Sequence, residues 1–148
     1  MNFSVDQVDA DKRFINFRHR WLRDGRPRET AIFDGDSSKE TYHFAALSNR
    51  NILGIVSYFR KNNEHFPDDH KSYQLRSMAV DSMYRKQKIG KRILDDSLAF
   101  LQSKEIDLIW CNARQESWRF YQQYGFKSIG DYFLIPDVGQ HILMYKYL

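Results

Sequence analysis

The chain has 148 residues, of which 42% are hydrophobic and 28% charged, with 23 basic against 19 acidic residues. The length suits one domain spanning 1–148, and the composition suits a globular protein and excludes a disordered or fibrous one. No apolar run approaches the roughly 18 residues of a membrane span. The N-terminus lacks the apolar core of a signal peptide, and one cysteine excludes an internal disulfide. These features predict a cytoplasmic protein that does not associate with membranes.

The first half of the chain predicts a strand, one amphipathic helix and three further strands. Phe14, Phe17 and Trp21 follow a helical period, and either Asp9 or Asp11 can cap that helix. The turn residues between the second and third strands predict an antiparallel pair. The other expected segments are a strand over 2–8, an irregular polar segment over 26–41, and strands over 42–47, 52–60 and 73–80.

The second half predicts a helix over 88–104 whose apolar residues share one face, then a continuously apolar strand over 108–112. Such a strand is typical of parallel pairing with both faces buried. A short helix ends at Gly125, and strands over 126–133 and 141–147 close the chain. The element order predicts an α+β fold: a mixed, mostly antiparallel twisted sheet of about seven strands with helices on both faces.

The excess positive charge lies in one loop. Residues 84–92 contain five basic side chains and no acidic one, and removing these five leaves 18 basic and 19 acidic residues. A nucleic-acid-binding protein usually spreads its charge over a face, so this loop favours a compact anion such as a phosphate. The loop also precedes a helix, whose N-terminal N–H groups attract anions. From charge alone, a merely solvated basic turn is an equal alternative.

Two motifs resemble the GNAT superfamily of N-acetyltransferases. Residues 78–91 are similar to its acetyl-CoA loop, Arg/Gln-x-x-Gly-x-Gly/Ala, which reads here Arg85-x-x-Lys88-x-Gly90. Lys88 replaces the first glycine, which implies backbone strain if that position needs a positive φ. Residues 120–126, Phe-Tyr-Gln-Gln-Tyr-Gly-Phe, resemble the family's Phe/Leu-Tyr-x-x-x-Gly-Phe segment. The spacing of the two motifs and the element order also match.

The resemblance implies a single acetyltransferase domain over 1–148 that transfers an acetyl group from acetyl-CoA directly to the amine of a small molecule, peptide or protein. Tyr121 matches the family tyrosine that acts as general acid and protonates the leaving thiolate. Arg114 lies where many relatives carry an asparagine that contacts the pantetheine. The implied cofactor-binding residues are Met78, Ala79 and Val80 for the pantetheine, Arg85, Lys86, Lys88, Ile89, Gly90 and Lys91 for the pyrophosphate, and Arg114.

The amine must lose a proton, and topology favours His141 as the general base. If the last strand runs antiparallel beside 108–112, His141 lies near Arg114 and Tyr121, and a histidine titrates in the useful range. A histidine bonded only to backbone is the alternative. Glu29, Asp34 or a chain of waters are other candidate bases.

Three further features leave alternatives open. Arg76 lies among apolar residues of a strand, so its charge is either paired or placed in the acceptor cleft. Phe33, like Trp21 and Tyr42, is either a core residue or part of an acceptor pocket. Cys111 is either a core cysteine or a nucleophile. No metal site is predicted, because the spacing of the histidines fits no ligand pattern.

The leading hypothesis is therefore an acetyl-CoA-dependent N-acetyltransferase. A non-catalytic CoA-binding or interaction module of the same fold is the alternative, against which the presence of Tyr121 argues. Transfer of a longer acyl group is a variant of the enzymatic hypothesis. Nucleic-acid binding is disfavoured by the charge balance outside the basic loop, and a homodimer is suggested only by the family.

Overall fold

The structure, a computed structural model, describes residues 2–148 and contains seven strands and three α-helices there. The α+β class and the mixed, mostly antiparallel seven-stranded sheet predicted from the sequence are confirmed. The elements are β1 Ser4–Val8, α1 Lys12–Leu22, β2 Tyr42–Ser48, β3 Asn51–Arg60, β4 Ser72–Val80, α2 Ile89–Ser103, β5 Leu108–Arg114, α3 Trp118–Gln123, β6 Lys127–Ile135 and β7 Gly139–Tyr147.

The chain divides into two compact units. Among the described residues, the first comprises 2–60 and Leu75–Lys104, and the second comprises Lys61–Gln74 and Glu105–Leu148. Strand β4 therefore starts in the second unit and ends in the first. No helix among residues 2–148 is long and apolar enough to cross a membrane.

The antiparallel strands of the first unit follow the predicted hairpin. Tyr42 of β2 lies opposite Tyr58 of β3, and β1 pairs with the other edge of β2. Asn49 and Arg50, in the turn between β2 and β3, have φ of 50° and 71°. Two consecutive left-handed residues match the right-handed twist of the flanking strands, so they close this hairpin tightly.

Helices cover both faces of the sheet in the first unit. Helix α1 begins at its N-cap Asp11, one of the two predicted caps, and its Phe14 belongs to a core cluster with Ala45 and Ile55. Helix α2 contacts Phe44, which precedes Ala45 on β2, since the ring of Phe44 lies 5.4 Å from that of Phe100 on α2. Adjacent strand residues point to opposite faces, so α1 and α2 pack on opposite sides of β2, as predicted.

The second unit is built around β5. Its parallel pairing with β4 joins Ser72–Gln74 to Leu108–Trp110, and its antiparallel pairing with β7 runs from Leu108 opposite Tyr147 to Arg114 opposite His141. Strand β6 pairs with the other edge of β7. One hydrophobic cluster in this unit comprises the buried residues Phe66, Leu108, Trp110 and Leu143.

Two expectations need correction. The predicted loop between the last two strands is shorter, because β6 extends to Ile135 and β7 starts at Gly139. The segment 26–41 is not wholly irregular, because Arg28–Ala31 forms a 3-10 helix. Its start is held by Thr30, whose N–H and hydroxyl both donate to the carbonyl of Pro27. Proline itself fixes φ near the helical value, which favours this turn.

Candidate functional site

The N-terminus of α2 is open to an anion. Its N-cap residue, Lys88, adopts a left-handed conformation (φ 60°, ψ 23°), and no side chain caps the first turn. The first turn, which starts at Ile89, also contains no acidic residue. The first N–H groups of a helix have no partner within the helix and lie at the positive end of its dipole. This turn therefore offers backbone donors to a ligand of negative charge.

Three cationic side chains flank this turn without being neutralised. Arg85, Lys86 and Lys88 are exposed and form no ion pair with residues 2–148. Two other basic residues of the loop are engaged: Lys91 Nζ lies 2.6 Å from Asp95, and Arg92 lies 3.3 Å from Asp96. The predicted basic loop thus has two parts: Lys91 and Arg92 are neutralised by acidic residues of α2, whereas the three exposed cations before the helix are not. These three cations and the open amides of the first turn together suit a phosphate group.

The end of β4 has an irregular backbone. Ser77 has φ of 62°, a left-handed residue inside a strand, and the half-buried residues Met78, Ala79 and Val80 follow it. A left-handed residue in a strand is unusual for serine and is typical of a bulge that redirects the strand. Gly54 of β3 lies against this segment, since a Cβ there would lie 3.0 Å from the carbonyl oxygen of Ala79.

Tyr121 is held rigidly on α3. Its ring is buried, with centroids 5.4 Å from both Phe120 and Phe126. Helix α3 ends where the sequence predicted, because Gly125 adopts φ of 87° and the N–H of Phe126 donates to the carbonyl of Tyr121. Lys146 reinforces this end by donating to the carbonyl of Tyr124 at 2.8 Å. The phenol is therefore fixed by packing on both sides and by a well-defined helix end.

His141 lies opposite Arg114, in the register predicted from topology. The imidazole is buried, and its Nδ1 lies 2.7 Å from the carbonyl oxygen of Gly139. A carbonyl only accepts hydrogen bonds, so Nδ1 carries the proton and Nε2 is the basic nitrogen of the neutral ring. The ring also stacks on Phe133 at 6.0 Å. The hydrogen bond from His141 to the backbone, which was the alternative to a role as base, is thus present. It occupies only Nδ1, so Nε2 can still accept a proton.

The other candidate bases are placed differently. Glu29 lies in the 3-10 helix and Asp34 in the following turn, and both are exposed. The carboxylate with buried partners is instead Asp36. The sequence places Asp36 in the polar segment 26–41 and predicts no specific role for it.

Asp36 belongs to a buried network that the sequence analysis missed. Arg18, which is fully buried on α1, binds both carboxylate oxygens of Asp36 at 2.8 and 3.1 Å and also donates to Ser57. His43 Nε2 donates to the carbonyl of Asp36, and its Nδ1 lies 2.7 Å from the Ser57 hydroxyl. Burial lowers the pKa of His43. One signal was available, since Arg18 lies four residues after Phe14 on the apolar face of the helix.

Arg76 is half-buried and stacked on aromatic rings. Its guanidinium carbon lies 4.0 Å from the centroid of Phe33 and 5.7 Å from that of Phe59. Burial lowers its pKa, as do the charges of Arg23 and Arg18, while Asp36 raises it. Within residues 2–148 its side chain donates no hydrogen bond and forms no ion pair. Of the two alternatives stated for Arg76, pairing with a carboxylate of the chain is therefore wrong.

Cys111 is a core cysteine. It is 2% exposed, and burial raises the pKa of its thiol, which disfavours the nucleophilic thiolate. In the part of the chain that the structure describes, no three His, Cys, Asp or Glu residues form a group able to hold a metal ion.

Known proteins share this fold and sequence pattern. Residues 9–126 match the model of the acetyltransferase (GNAT) family. The chain is 31% identical over 131 residues to "Uncharacterized N-acetyltransferase YitI" of Bacillus subtilis (strain 168), covering 88% of this chain and 87% of the relative.

Solved structures agree in fold. A crystal structure of Ard1 from Thermoplasma volcanium has a TM-score of 0.77 at 15% identity and covers 100% of this chain and 99% of its own. An aminoglycoside 6'-N-acetyltransferase complexed with coenzyme A has a TM-score of 0.73 at 16% identity, covering 97% and 96%. With the family match and the curated relative, these findings establish that the chain belongs to the GNAT family, the acetyltransferases that use acetyl-CoA.

Proposed function

We propose that this acetyltransferase transfers the acetyl group of acetyl-CoA directly to a primary amine of a small molecule, peptide or protein. The observation that carries the proposal is the open first turn of α2 beside three unneutralised cations. Acetyl-CoA carries a pyrophosphate, which this combination of backbone donors and point charges suits.

The cofactor-binding residues of the proposal follow from this fit. The amides of Ile89, Gly90 and Lys91 belong to the first turn of α2 and are assigned to the pyrophosphate. The side chains of Arg85, Lys86 and Lys88 supply charge at the entrance. The backbone of Met78, Ala79 and Val80, and the side chain of Arg114, are assigned to the pantetheine arm, an assignment that the family motif supports.

Gly90 has a specific part in this arrangement. It is the second residue of α2 and does not have a positive φ, so its glycine is not required by backbone conformation. What a glycine gives here is the absence of a side chain above the amides, which permits close approach of a ligand.

Acetyl-CoA supplies an acetyl group activated as a thioester, and two residues of the chain handle the protons. Tyr121 is proposed to donate its phenolic proton to the departing thiolate sulfur, which is basic enough to accept it. His141 is proposed to accept the proton that the attacking amine loses, through Nε2. This role is supported by the hydrogen bond from Nδ1 to Gly139, which fixes the tautomer with a basic Nε2.

Calorimetric titration of the purified chain with acetyl-CoA tests the proposal, with ATP as the control ligand. We expect one saturable site per chain that binds acetyl-CoA far more tightly than ATP. In Gly90→Val the branched side chain should weaken binding by about tenfold or more, whereas Gly90→Ala should weaken it less. Binding without turnover of any amine would favour the CoA-binding module, and unaltered affinity of Gly90→Val would place the pyrophosphate elsewhere.

We further propose that residues 1–148 act as one cytoplasmic domain and that the protein forms a homodimer through β6. Strand β6 is the outermost strand of its unit and exposes the apolar residues Tyr132, Phe133 and Leu134. An exposed apolar edge strand invites pairing with another copy. The fold depends on no internal disulfide, since its single cysteine, Cys111, is free and buried, and a cytoplasmic location is compatible with this. Sedimentation of the wild type and of Leu134→Lys tests the dimer, which the lysine should weaken.

A further inference from the structure

Arg76 lacks a partner that a half-buried charge requires. Its face is covered by the ring of Phe33, but a ring satisfies none of the five N–H donors, which lie in the plane of the guanidinium. No carboxylate or carbonyl among residues 2–148 accepts from them. The nitrogens of Arg76 are not among the fully buried, unpartnered atoms of residues 2–148, so they stay accessible to solvent or to a ligand. A guanidinium that is partly desolvated by a ring and keeps its donors accessible is suited to bind an anion.

The surroundings of Arg76 increase its demand for an anion. The guanidinium carbon of Arg18 also lies 4.0 Å from the centroid of Phe33, and that of Arg23 lies 5.4 Å away. The nearby carboxylate, Asp36, already accepts from both terminal nitrogens of Arg18 and from the N–H of Phe33. Burial lowers the pKa of His43, which also belongs to this cluster, and so disfavours the charged form of its imidazole. The cluster around Phe33 therefore has an excess of positive charge.

The position of Arg76 in the chain connects this cluster with the proposed transfer. Arg76 lies on β4 two residues before Met78, whose backbone the proposed function assigns to the pantetheine arm. A group bound by Arg76 would thus lie beside the strand segment assigned to the pantetheine arm.

We infer that Arg76, stacked on Phe33, binds a carboxylate of the acceptor, so that the acceptor class is amines that also carry a carboxylate, such as amino acids. A stacked guanidinium presents a planar pair of donors that matches the two oxygens of a carboxylate. The assignment of this carboxylate to the acceptor rests on the proposed function, whereas the binding of a carboxylate by Arg76 does not.

A binding experiment tests the site without turnover. In ¹⁵N-labelled protein the Nε–H resonance of Arg76, assigned with Arg76→Gln, is followed during titration with sodium propionate, propionamide, sodium chloride and inorganic phosphate. We expect a saturable shift with propionate alone. Arg20, an exposed guanidinium 5.0 Å from the ring of Trp21, should show no such shift and serves as the matched control. No shift, an equal shift with chloride, or tighter binding of phosphate would overturn the carboxylate assignment.

A kinetic experiment tests the acceptor class. CoA release is measured with 4-aminobutanoate and 5-aminopentanoate and with the corresponding amides, in which the amine is chemically matched but the carboxylate is neutral. We expect the acids to have a kcat/KM at least about tenfold higher than the amides in the wild type and in Arg20→Gln. This preference should vanish in Arg76→Gln and be only partly kept in Arg76→Lys.

The outcomes separate the two proposals. A purely structural Arg76 would lower kcat/KM for acids and amides alike in Arg76→Gln, which leaves the ratio unchanged and overturns the inference. If no amine is acetylated and acetyl-CoA does not bind, the proposed function fails, and the propionate titration still decides whether Arg76 holds a carboxylate.

Discussion

The residue that departs from the GNAT motif at the start of α2 is Lys88, and its backbone conformation is one that glycine favours. Lys88 adopts φ of 60°, a conformation that glycine reaches freely and lysine reaches at some cost. The left-handed residue before α2 is thus a lysine in this chain. It therefore adds a cation beside the open amides without closing them.

Lys88→Gly and Lys88→Val should separate conformation from charge. Glycine keeps the left-handed conformation and loses one exposed charge, so acetyl-CoA affinity should fall by no more than about threefold. A β-branched valine opposes this conformation, so affinity should fall by about tenfold or more. Titration calorimetry checks both variants. Equal losses would mean that the charge of Lys88, and not its backbone, matters for binding.

Tyr121→Phe should lower turnover without disturbing the fold. The substitution removes only the hydroxyl, and the ring keeps its contacts with Phe120 and Phe126. Loss of a general acid should lower kcat by about 10²–10⁴-fold, with acetyl-CoA affinity nearly unchanged. Tyr124→Phe, at the C-cap of the same helix, is the matched control and should retain activity. An unchanged kcat in Tyr121→Phe would remove this residue as the acid.

His43 should make the protein less stable in mild acid. Its pKa is lowered by burial, so between that pKa and the unfolded value of about 6.5 the unfolded chain binds a proton that the native chain does not. The free energy of unfolding therefore decreases as pH falls below about 6.5. Denaturant unfolding of wild type, His43→Gln and the exposed control His65→Gln measures this slope. A slope that His43→Gln leaves unchanged would assign it to other groups.

At the scale of elements, hydrophobic period and turn chemistry account for what the sequence could predict. Helix α2 was predicted within a residue of its bounds, because its apolar residues keep one face over its whole length. The 3-10 helix at Arg28–Ala31 was missed, because a four-residue segment has no period to detect. The network of Arg18 and Asp36 was missed for another reason: a polar loop and a charged helix residue reveal a partnership only when the chain folds.

The contact between β3 and α2 depends on Gly54. A Cβ at Gly54 would lie 2.8 Å from Ile93 Cδ1 and 3.0 Å from the carbonyl oxygen of Ala79. Gly54→Ala should thus lower the free energy of unfolding by about 1–3 kcal/mol, the usual cost of overpacking. Adding Ile93→Val removes the closer clash, so the double variant should lose less than the sum of the two single variants. Additive losses in urea unfolding would show that Ile93 does not limit the space.

At the scale of the molecule, the sequence predicted the class, the strand directions and the two motifs, but not the division into two compact units. Each unit has its own buried cluster, one around Phe14 and Ile55 and one around Leu108 and Leu143. Periodicity shows which residues are buried and not which of them share a core. Tyr121 and His141 could be proposed because a motif and a strand register are visible in the sequence. The contacts of Arg76 with aromatic rings could not be predicted, because they join residues that are distant in the chain.

Cys111 can test whether the two units unfold as one domain. Strand β4 runs from Ser72 in the second unit to Val80 in the first, so unfolding of either unit removes part of a strand that both use. We therefore expect one cooperative transition. The measurement is thiol labelling in low denaturant of Cys111, buried in the second unit, and of Ala45→Cys in a Cys111→Ala background, buried in the first. Both thiols should report the same opening free energy and denaturant dependence. If Cys111 is labelled through a smaller opening than the thiol introduced by Ala45→Cys, the second unit unfolds on its own and the single-domain proposal is wrong.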